Sequence, residues 1–123
     1  MIMTLESNGR LTMGSGATCG TSGVWNNASS RDYKENITPL LEEDATAAIM
    51  ALEPQTYKYK EGGEHHVGFI SEDVPDLLAN DDRKTLSPMD IVAALTKVVQ
   101  RQEMESKKQQ ERIDKLEEAL RNK

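Results

Sequence analysis

The chain has 123 residues, a formal net charge of −6 at pH 7, 37% hydrophobic residues and 4% aromatic residues. This length suits one domain with an appendage rather than two independent cores, and the small apolar share predicts a thin core that assembly with copies of the same chain would complete. The acidic charge argues against a nucleic-acid surface, which needs a basic patch. No apolar run approaches the ~20 residues of a membrane span and no signal-peptide pattern opens the chain, so we expect no membrane partner.

Residues 1–28 are rich in Gly, Ser and Thr and carry little charge. Two short, partly alternating strand candidates at residues 1–5 and 10–13 flank Asn8 and Gly9, a dipeptide typical of hairpin turns. Because a single hairpin is marginal in water, we interpret this segment as the end of a longer β-structured fibre or stalk.

The rest of this segment has fewer signals. Residues 14–23 are predicted to form a flexible, turn-rich stretch, and Trp25 is expected to pack on a neighbouring element. Cys19 is the single cysteine, so it cannot form an intrachain disulfide, and it lacks the partners that a metal site requires. We expect Cys19 to be inert.

The chain changes character at residues 29–36, where Ser29 lies five positions ahead of Lys34. A serine hydroxyl needs a neighbouring base to act as a nucleophile, and lysine can be that base if burial or positive charge lowers its pKa from ~10.4. Five extended residues separate two side chains by ~10–17 Å, so the segment must bend sharply for them to meet. Tyr33 and Ile37 could bury Lys34. By spacing alone, a linker serine and a surface lysine are the simpler explanation, because both residues are common.

A helix is predicted over residues 44–52, with Asp44 as its N-cap and Pro54 as its stop. Alternation then predicts strands at residues 56–60 and 65–70, which a Gly-rich loop joins into a hairpin. The apolar face of the helix comprises Ala45, Ala48, Ile49 and Leu52.

His65 and His66 are adjacent on the second strand, so their side chains point to opposite faces and cannot readily share one metal ion. We therefore predict no metal site and no cofactor. His65 is expected at the surface. His66 shares the face of Gly68 and Ile70, which favours a partly buried strand histidine.

Ser71 is a suitable N-cap for a helix whose first turn holds Glu72 and Asp73, where the helix dipole favours acids. Capping therefore explains these acids without a catalytic role, and residues 80–84 form a polar turn. The residues expected to face the core are Val74, Leu77 and Leu78.

The last third of the chain predicts one long helix that runs to Lys123. Ser87 is placed as its N-cap, Pro88 at its first position and Asp90 three residues after the cap. Ile91 and Val98 widen the apolar stripe near the start, which suggests packing against the globular body there. The heptad a positions are Val92, Val99, Ser106, Ile113 and Leu120, and the d positions are Leu95, Gln102, Gln109 and Leu116.

The apolar ends of this heptad pattern bracket a polar middle of Gln102, Ser106 and Gln109. Polar core layers weaken a coiled coil but can fix its register and strand number. The heptads alone do not separate a dimer from a trimer. The alternative of a single solvated helix is disfavoured by the shared register at both ends.

Several motifs follow one another in a recognisable order. They are SSRDYKENI at residues 29–37, a Thr-Pro-Leu turn at 38–40, a short helix at 45–52, LEPQTYKY at 52–59, GFISEDVP at 68–75 and the helix after Ser87. This order resembles the intramolecular chaperone domain that ends phage tailspikes and tail fibres, as in endosialidases, with a related domain in myelin regulatory factor.

The resemblance implies that Ser29 and Lys34 are a self-cleaving Ser-Lys pair and that the bond between Ala28 and Ser29 is cut. The family often has Asp after its serine, where this chain has Ser30, so Ser30 stays an alternative nucleophile. Some relatives place a histidine near the cut, which makes His66 a candidate assisting residue.

The implied fold is α+β: a short β-rich stalk remnant at residues 1–28, a body of helix and β-hairpin at 29–86, and a coiled-coil helix at 87–123 that assembles a homotrimer. The implied function is an intramolecular chaperone that trimerises the upstream fibre segment of the same chain and then releases itself by a single-turnover cut. It would act in the host cytoplasm during assembly, leaving the mature fibre in the virion. A structural trimerisation cap that never cuts is the alternative, and a hydrolase of outside substrates is disfavoured because no Gly-rich loop or concave site is evident.

Overall fold

The computed structural model describes residues 2–123 and divides the chain into two compact units, Met1–Pro39 and Leu40–Lys123. The fold is α+β, as predicted. Along the chain come strands β1 (Met3–Leu5), β2 (Leu11–Met13), β3 (Thr18–Cys19) and β4 (Trp25–Asn26), helix α1 (Glu42–Ala51), strands β5 (Gln55–Lys58) and β6 (His65–Gly68), and helix α2 (Pro88–Arg121), with 3₁₀ turns at Arg31–Tyr33, Ser71–Asp73 and Asp76–Leu78.

The first unit is built on a four-stranded antiparallel meander in the order β1-β2-β3-β4. The predicted hairpin is confirmed: Met3 pairs with Met13 and Leu5 with Leu11. Met1, the first residue of the predicted strand, lies outside the described residues. Trp25 is 58% exposed in the single chain, so the expectation that it packs on a neighbouring element is wrong.

Three connections of the meander share one geometry that recurs every seven residues. In each connection, the N–H of the first residue donates to the carbonyl of the residue four positions later. The N–H of a glycine three positions after the first residue donates to the first residue's carbonyl. The first residues are Glu6, Met13 and Gly20. The glycines are Gly9, Gly16 and Gly23, with φ of 88°, 96° and 83°, a left-handed region that favours glycine. The turns predicted within residues 14–23 are confirmed, whereas strand β3 was not predicted there; glycine sets the tight hairpin turns on either side of it.

Helix α1 begins at Glu42, two residues before the predicted start, so the prediction of Asp44 as N-cap is wrong. Leu41 occupies the cap position without a side-chain hydrogen bond, and Asp44 lies in an acidic first turn that the helix dipole stabilises. Ala45 and Ala48 are buried, as the predicted apolar face requires. Ile49 and Leu52 are half-buried.

The core of the second unit lies where α1 meets the start of α2. Ala48 of α1 and Ala94 of α2 are buried together with Leu78, and the small alanine side chains let the helices approach closely. Arg101 Nη1 donates to Thr46 Oγ1 at 3.3 Å, which ties the two helices at the edge of this contact. The partly buried residues that pack on the cluster are Leu40, Ile49, Leu52 and Ile91.

The helix predicted after Ser71 is two 3₁₀ turns, and Ser71 is the first residue of the earlier turn rather than its cap. Pro75 separates them because proline lacks an N–H and holds the preceding residue in extended backbone. Val74 and Leu78 are buried as predicted, whereas Leu77 is 47% exposed, contrary to prediction.

The loop between the second 3₁₀ turn and α2 is held by side chains. The Lys84 N–H donates to Asp82 Oδ1 at 2.9 Å, and this bond keeps the pKa of Asp82 below its ordinary value. Ser87 precedes α2 as predicted, but its hydroxyl donates to Asn80 Oδ1 at 3.1 Å instead of capping the helix. The loop therefore sets where α2 begins.

Helix α2 runs from Pro88 to Arg121, two residues short of the predicted end. Its buried residues, Ala94 and Val98, lie off the a and d positions, and half-buried Ile91 also packs on the body as predicted. The six apolar heptad residues are between 44% and 69% exposed in the single chain. Among residues 2–123, no helix is long and apolar enough to cross a membrane.

Adjacent leucines give a test of the core. Leu78 is 2% exposed and Leu77 is 47% exposed. We expect Leu78→Ala to lower the free energy of unfolding by about 2–5 kcal/mol, because it leaves a cavity between the helices, and Leu77→Ala to change it by about 0.5 kcal/mol. Urea unfolding followed by far-UV circular dichroism, at one protein concentration, measures both. Equal losses would contradict the described core.

Candidate active site

Ser29 and Lys34 lie on either side of the first 3₁₀ turn, Arg31–Tyr33. Two backbone hydrogen bonds of 3.1 Å close the turn. This bend brings Lys34 Nζ to 2.7 Å from Ser29 Oγ, within hydrogen-bond distance. The sharp bend that the spacing requires is therefore present.

The neighbouring serine has a different place. Ser30 is the N-cap of the turn, and its Oγ accepts a hydrogen bond from the Asp32 N–H at 3.2 Å. This bond satisfies a backbone donor at the start of the turn, as N-cap side chains do. Lys34 thus contacts Ser29, whereas Ser30 shapes the turn that brings the two side chains together.

Burial of the lysine differs from expectation. Lys34 is exposed, and the side chains predicted to cover it are exposed too: Tyr33 by 67% and Ile37 by 52%. The prediction that these two residues bury Lys34 is wrong for the single chain, because both side chains lie at the surface. Any shielding of Lys34 has to come from other groups.

The residue ahead of Ser29 has a neighbour that the sequence did not reveal. Ala28 is half-buried, although Asn27 and Ser29 on either side are exposed. A Cβ placed on Gly16 would lie 3.7 Å from Ala28 Cβ and 3.7 Å from Tyr33 Oη. The turn between β2 and β3 therefore lies against the segment that precedes Ser29. The regular spacing of glycines was the sequence signal for this turn.

His66 belongs to the second unit, where it pairs with Tyr57 across the β5-β6 hairpin. Its ring stacks near that of Tyr57 with centroids 6.0 Å apart and meets Tyr59 edge-on at 5.5 Å. Hydrogen bonding to Tyr59 raises the pKa of the Tyr57 phenol above its ordinary value. His66 is exposed rather than partly buried as predicted, because in the single chain this face of the hairpin is open. His65 is exposed, as expected, and the described residues contain no cluster of three metal-ligating side chains.

The exposed stripe of α2 carries a shallow recess near its C-terminal end. A shallow depression of about 260 Å³ is lined by Gln109, Arg112, Ile113 and Leu116. In the predicted heptads these are positions d, g, a and d, a set of four neighbouring residues that can receive one side chain of a facing helix.

Comparison with protein families gives one match. Residues 29–83 match a peptidase family described as the chaperone of endosialidase. The matched segment starts at Ser29, includes Lys34 and ends at Arg83, before α2 begins. Searches of curated proteins and of solved structures gave no match. The family supports an intramolecular chaperone role. Residues 29–83 are therefore similar to the chaperone-of-endosialidase family.

Proposed function

We propose that this chain drives trimerisation of an upstream fibre or tailspike segment and then releases itself by cutting the bond between Ala28 and Ser29. The observation that supports the cut most directly is the 2.7 Å contact of Lys34 Nζ with Ser29 Oγ at the first residue of the family match. The partners are two further copies of the chain and its own upstream segment, and no cofactor takes part. Assembly takes place in the host cytoplasm, and the mature fibre remains in the virion.

The reaction begins when Ser29 Oγ attacks the carbonyl carbon of Ala28 and gives its proton to the neutral amine of Lys34. The bond from this carbon to the Ser29 nitrogen then breaks, and Lys34 returns the proton to that nitrogen. The result is an ester between Ala28 and Ser29 Oγ and a free α-amine on Ser29. Backbone N–H groups stabilise the oxyanion of the tetrahedral intermediate.

Water completes the reaction. Lys34 removes a proton from a water molecule, which attacks the ester carbonyl, and the same proton passes to the departing Ser29 Oγ. The products are a carboxylate on Ala28 and the chaperone with Ser29 as its first residue. One water is consumed and the Ser-Lys pair is restored.

Assembly is needed because lysine acts as a base only when neutral, and desolvation favours the neutral form. Lys34, Tyr33 and Ile37 are exposed in the single chain, so partner chains must supply the burial. The cut then follows trimer formation and marks successful assembly. Departure of the chaperone leaves the upstream trimer kinetically trapped, because the template for its assembly has gone. His66 is a candidate for assisting the pair by a hydrogen bond in the assembled state.

The interface we propose is the heptad face of α2. Its apolar residues are exposed, while Ala94 and Val98 on another face already pack on the body. The recess beside Ile113 suits a side chain from a facing helix. Polar layers at Gln102 and Gln109 would fix the register, and the resemblance to trimeric fibres favours three strands.

A non-cutting trimerisation cap is the second candidate function. The exposure of Lys34 favours it, because nothing in the single chain desolvates the amine as a lysine base requires. The two candidates share the coiled coil and differ only in the bond between Ala28 and Ser29.

The intact mass of the purified protein separates them. We expect the wild-type trimer to yield two fragments, residues 1–28 and 29–123. Lys34→Met keeps most of the side-chain volume but removes the base, so cleavage should slow by about 10²–10⁴-fold. Lys58→Met, at an exposed lysine of β5, is the matched control and should cut normally. A wild-type trimer that stays intact would establish the cap, and normal cutting by Lys34→Met would contradict the Ser-Lys mechanism.

A further inference from the structure

Ala28 lies beside the Gly16 turn of the meander. It is half-buried between exposed neighbours, and its Cβ lies 3.7 Å from the place where Gly16 would carry a Cβ. The ring of Tyr33 is equally close to that Cβ position: its Oη lies 3.7 Å from it and its Cε2 lies 3.8 Å from it. The gap between the Gly16 backbone, Ala28 and Tyr33 is therefore about one carbon atom wide.

We propose that the turn at Gly16 and the ring of Tyr33 form a subsite that holds residue 28 and admits only a small side chain there. The proposal rests on the self-cleavage proposed above and names what selects the bond that is cut. Gly16 and Tyr33 act as positioning residues, because they line the gap beside the residue whose carbonyl reacts and take no part in proton transfer.

Position matters because the attack is local. Ser29 Oγ must approach the carbonyl of the residue directly before it at about 3–3.5 Å, and a misplacement of about 1 Å can cost 10²-fold in rate. The Ser30 cap and the 3₁₀ turn orient Ser29 on one side of the bond. The Gly16 turn fixes Ala28 on the other side. The bond thus spans two ordered elements, each built by local hydrogen bonds.

The upstream meander is then part of the cleavage site. The Gly16 turn is closed by the bond from its own N–H to the Met13 carbonyl at 2.9 Å and by the bond from the Met13 N–H to the Ala17 carbonyl at 2.8 Å. If the meander is unfolded, this turn is absent and Ala28 has no support. The cut therefore requires the folded Gly16 turn of the meander in addition to assembly of the chaperone.

Substitutions at position 28 test the size of the subsite. In a time course of intact mass, Ala28→Leu should cut about 10- to 100-fold more slowly than wild type, because leucine must displace the turn or Tyr33. Ala28→Gly should cut within about threefold of wild type, since it leaves the subsite open. Cutting of Ala28→Leu at the wild-type rate would overturn the subsite and leave the Ser-Lys reaction standing. A wild type that is never cut would overturn the proposed function itself.

Two glycines provide a matched pair for the turn. Gly16 and Gly23 both have positive φ, but Gly23 has no heavy atom within 4 Å of its Cβ position, whereas Gly16 faces Ala28 and Tyr33. Asparagine tolerates positive φ better than other side chains, so Gly16→Asn and Gly23→Asn carry similar backbone strain. We expect Gly16→Asn to slow the cut at least tenfold and Gly23→Asn to stay within about threefold of wild type. Equal cleavage rates of the Gly16→Asn and Gly23→Asn proteins would overturn the proposal, whether both rates are fast or both are slow.

Discussion

Ser29→Ala is expected to remain a full-length trimer, whereas Ser30→Ala is still cut. Ser29 Oγ is the hydroxyl that Lys34 contacts at 2.7 Å, so its removal deletes the nucleophile and should slow cleavage by more than about 10⁴-fold. Ser30 Oγ accepts a hydrogen bond from the Asp32 N–H, and its loss weakens the turn by about 1 kcal/mol. That loss should slow the cut by about tenfold or less. Intact mass over several days measures both.

The two serines are controls for each other, because they are adjacent and lose the same atom. If Ser30→Ala stays whole and Ser29→Ala is cut, Ser30 is the nucleophile and the turn must rearrange before reaction. Hydroxylamine added during the wild-type reaction should intercept the ester and leave a hydroxamate on Ala28. A carboxylate alone, under conditions where hydroxylamine cleaves a model serine ester, would contradict the ester intermediate.

The long-range pattern of the chain could be predicted where periodicity or capping residues were clear. Asn8 and Gly9 predicted the first hairpin, and Pro88 predicted the start of α2 to the residue. The split of α2 into one face against α1 and one exposed face also followed from its heptads, because Val98 lies off the a and d positions. The division at residues 28/29 and 86/87 stays a prediction, since it concerns where the chain is cut and where the coil begins.

Other elements had signals that were weaker or misread. Strands β3 and β4 are two residues each, too short for alternation to show, and the regular spacing of Gly9, Gly16 and Gly23 was the only signal. Pro75 turned a predicted helix into two 3₁₀ turns because it removes a backbone donor. Helix α1 started early because its acids occupy the first turn rather than the cap.

The site was predictable in composition but not in geometry. The spacing of Ser29 and Lys34 allows ~10–17 Å in an extended chain, and only the 3₁₀ turn capped by Ser30 reduces the separation to contact. The approach of Gly16 to Ala28 joins residues far apart in sequence, and no local pattern encodes such a contact. The burial that Lys34 needs is absent from the single chain, since exposed neighbours cannot supply it.

Assembly and cutting should fail together when the heptad face of α2 is disrupted. Ile113 is at an a position and is 47% exposed in the single chain. In a trimer, Ile113→Glu places three carboxylates in one apolar layer, and burying unpaired charges costs several kcal/mol per ion. We expect the trimer to dissociate at micromolar concentrations, as measured by light scattering after gel filtration. The cut should then slow at least tenfold, because isolated chains leave Lys34 solvated.

Met104→Glu is the matched control. Met104 is also an apolar residue of α2, is 56% exposed and gains the same charge, but it lies at position f, on the outer face of the predicted coil. In a helix with no partner, the two substitutions would have the same effect on the oligomeric state. A coiled coil tolerates Met104→Glu but not Ile113→Glu. Met104→Glu should therefore remain a trimer and cut at the wild-type rate. If the Ile113→Glu protein also stays trimeric, the heptad face is not the interface. If it dissociates but is still cut at the wild-type rate, Lys34 acts as a base without help from partner chains.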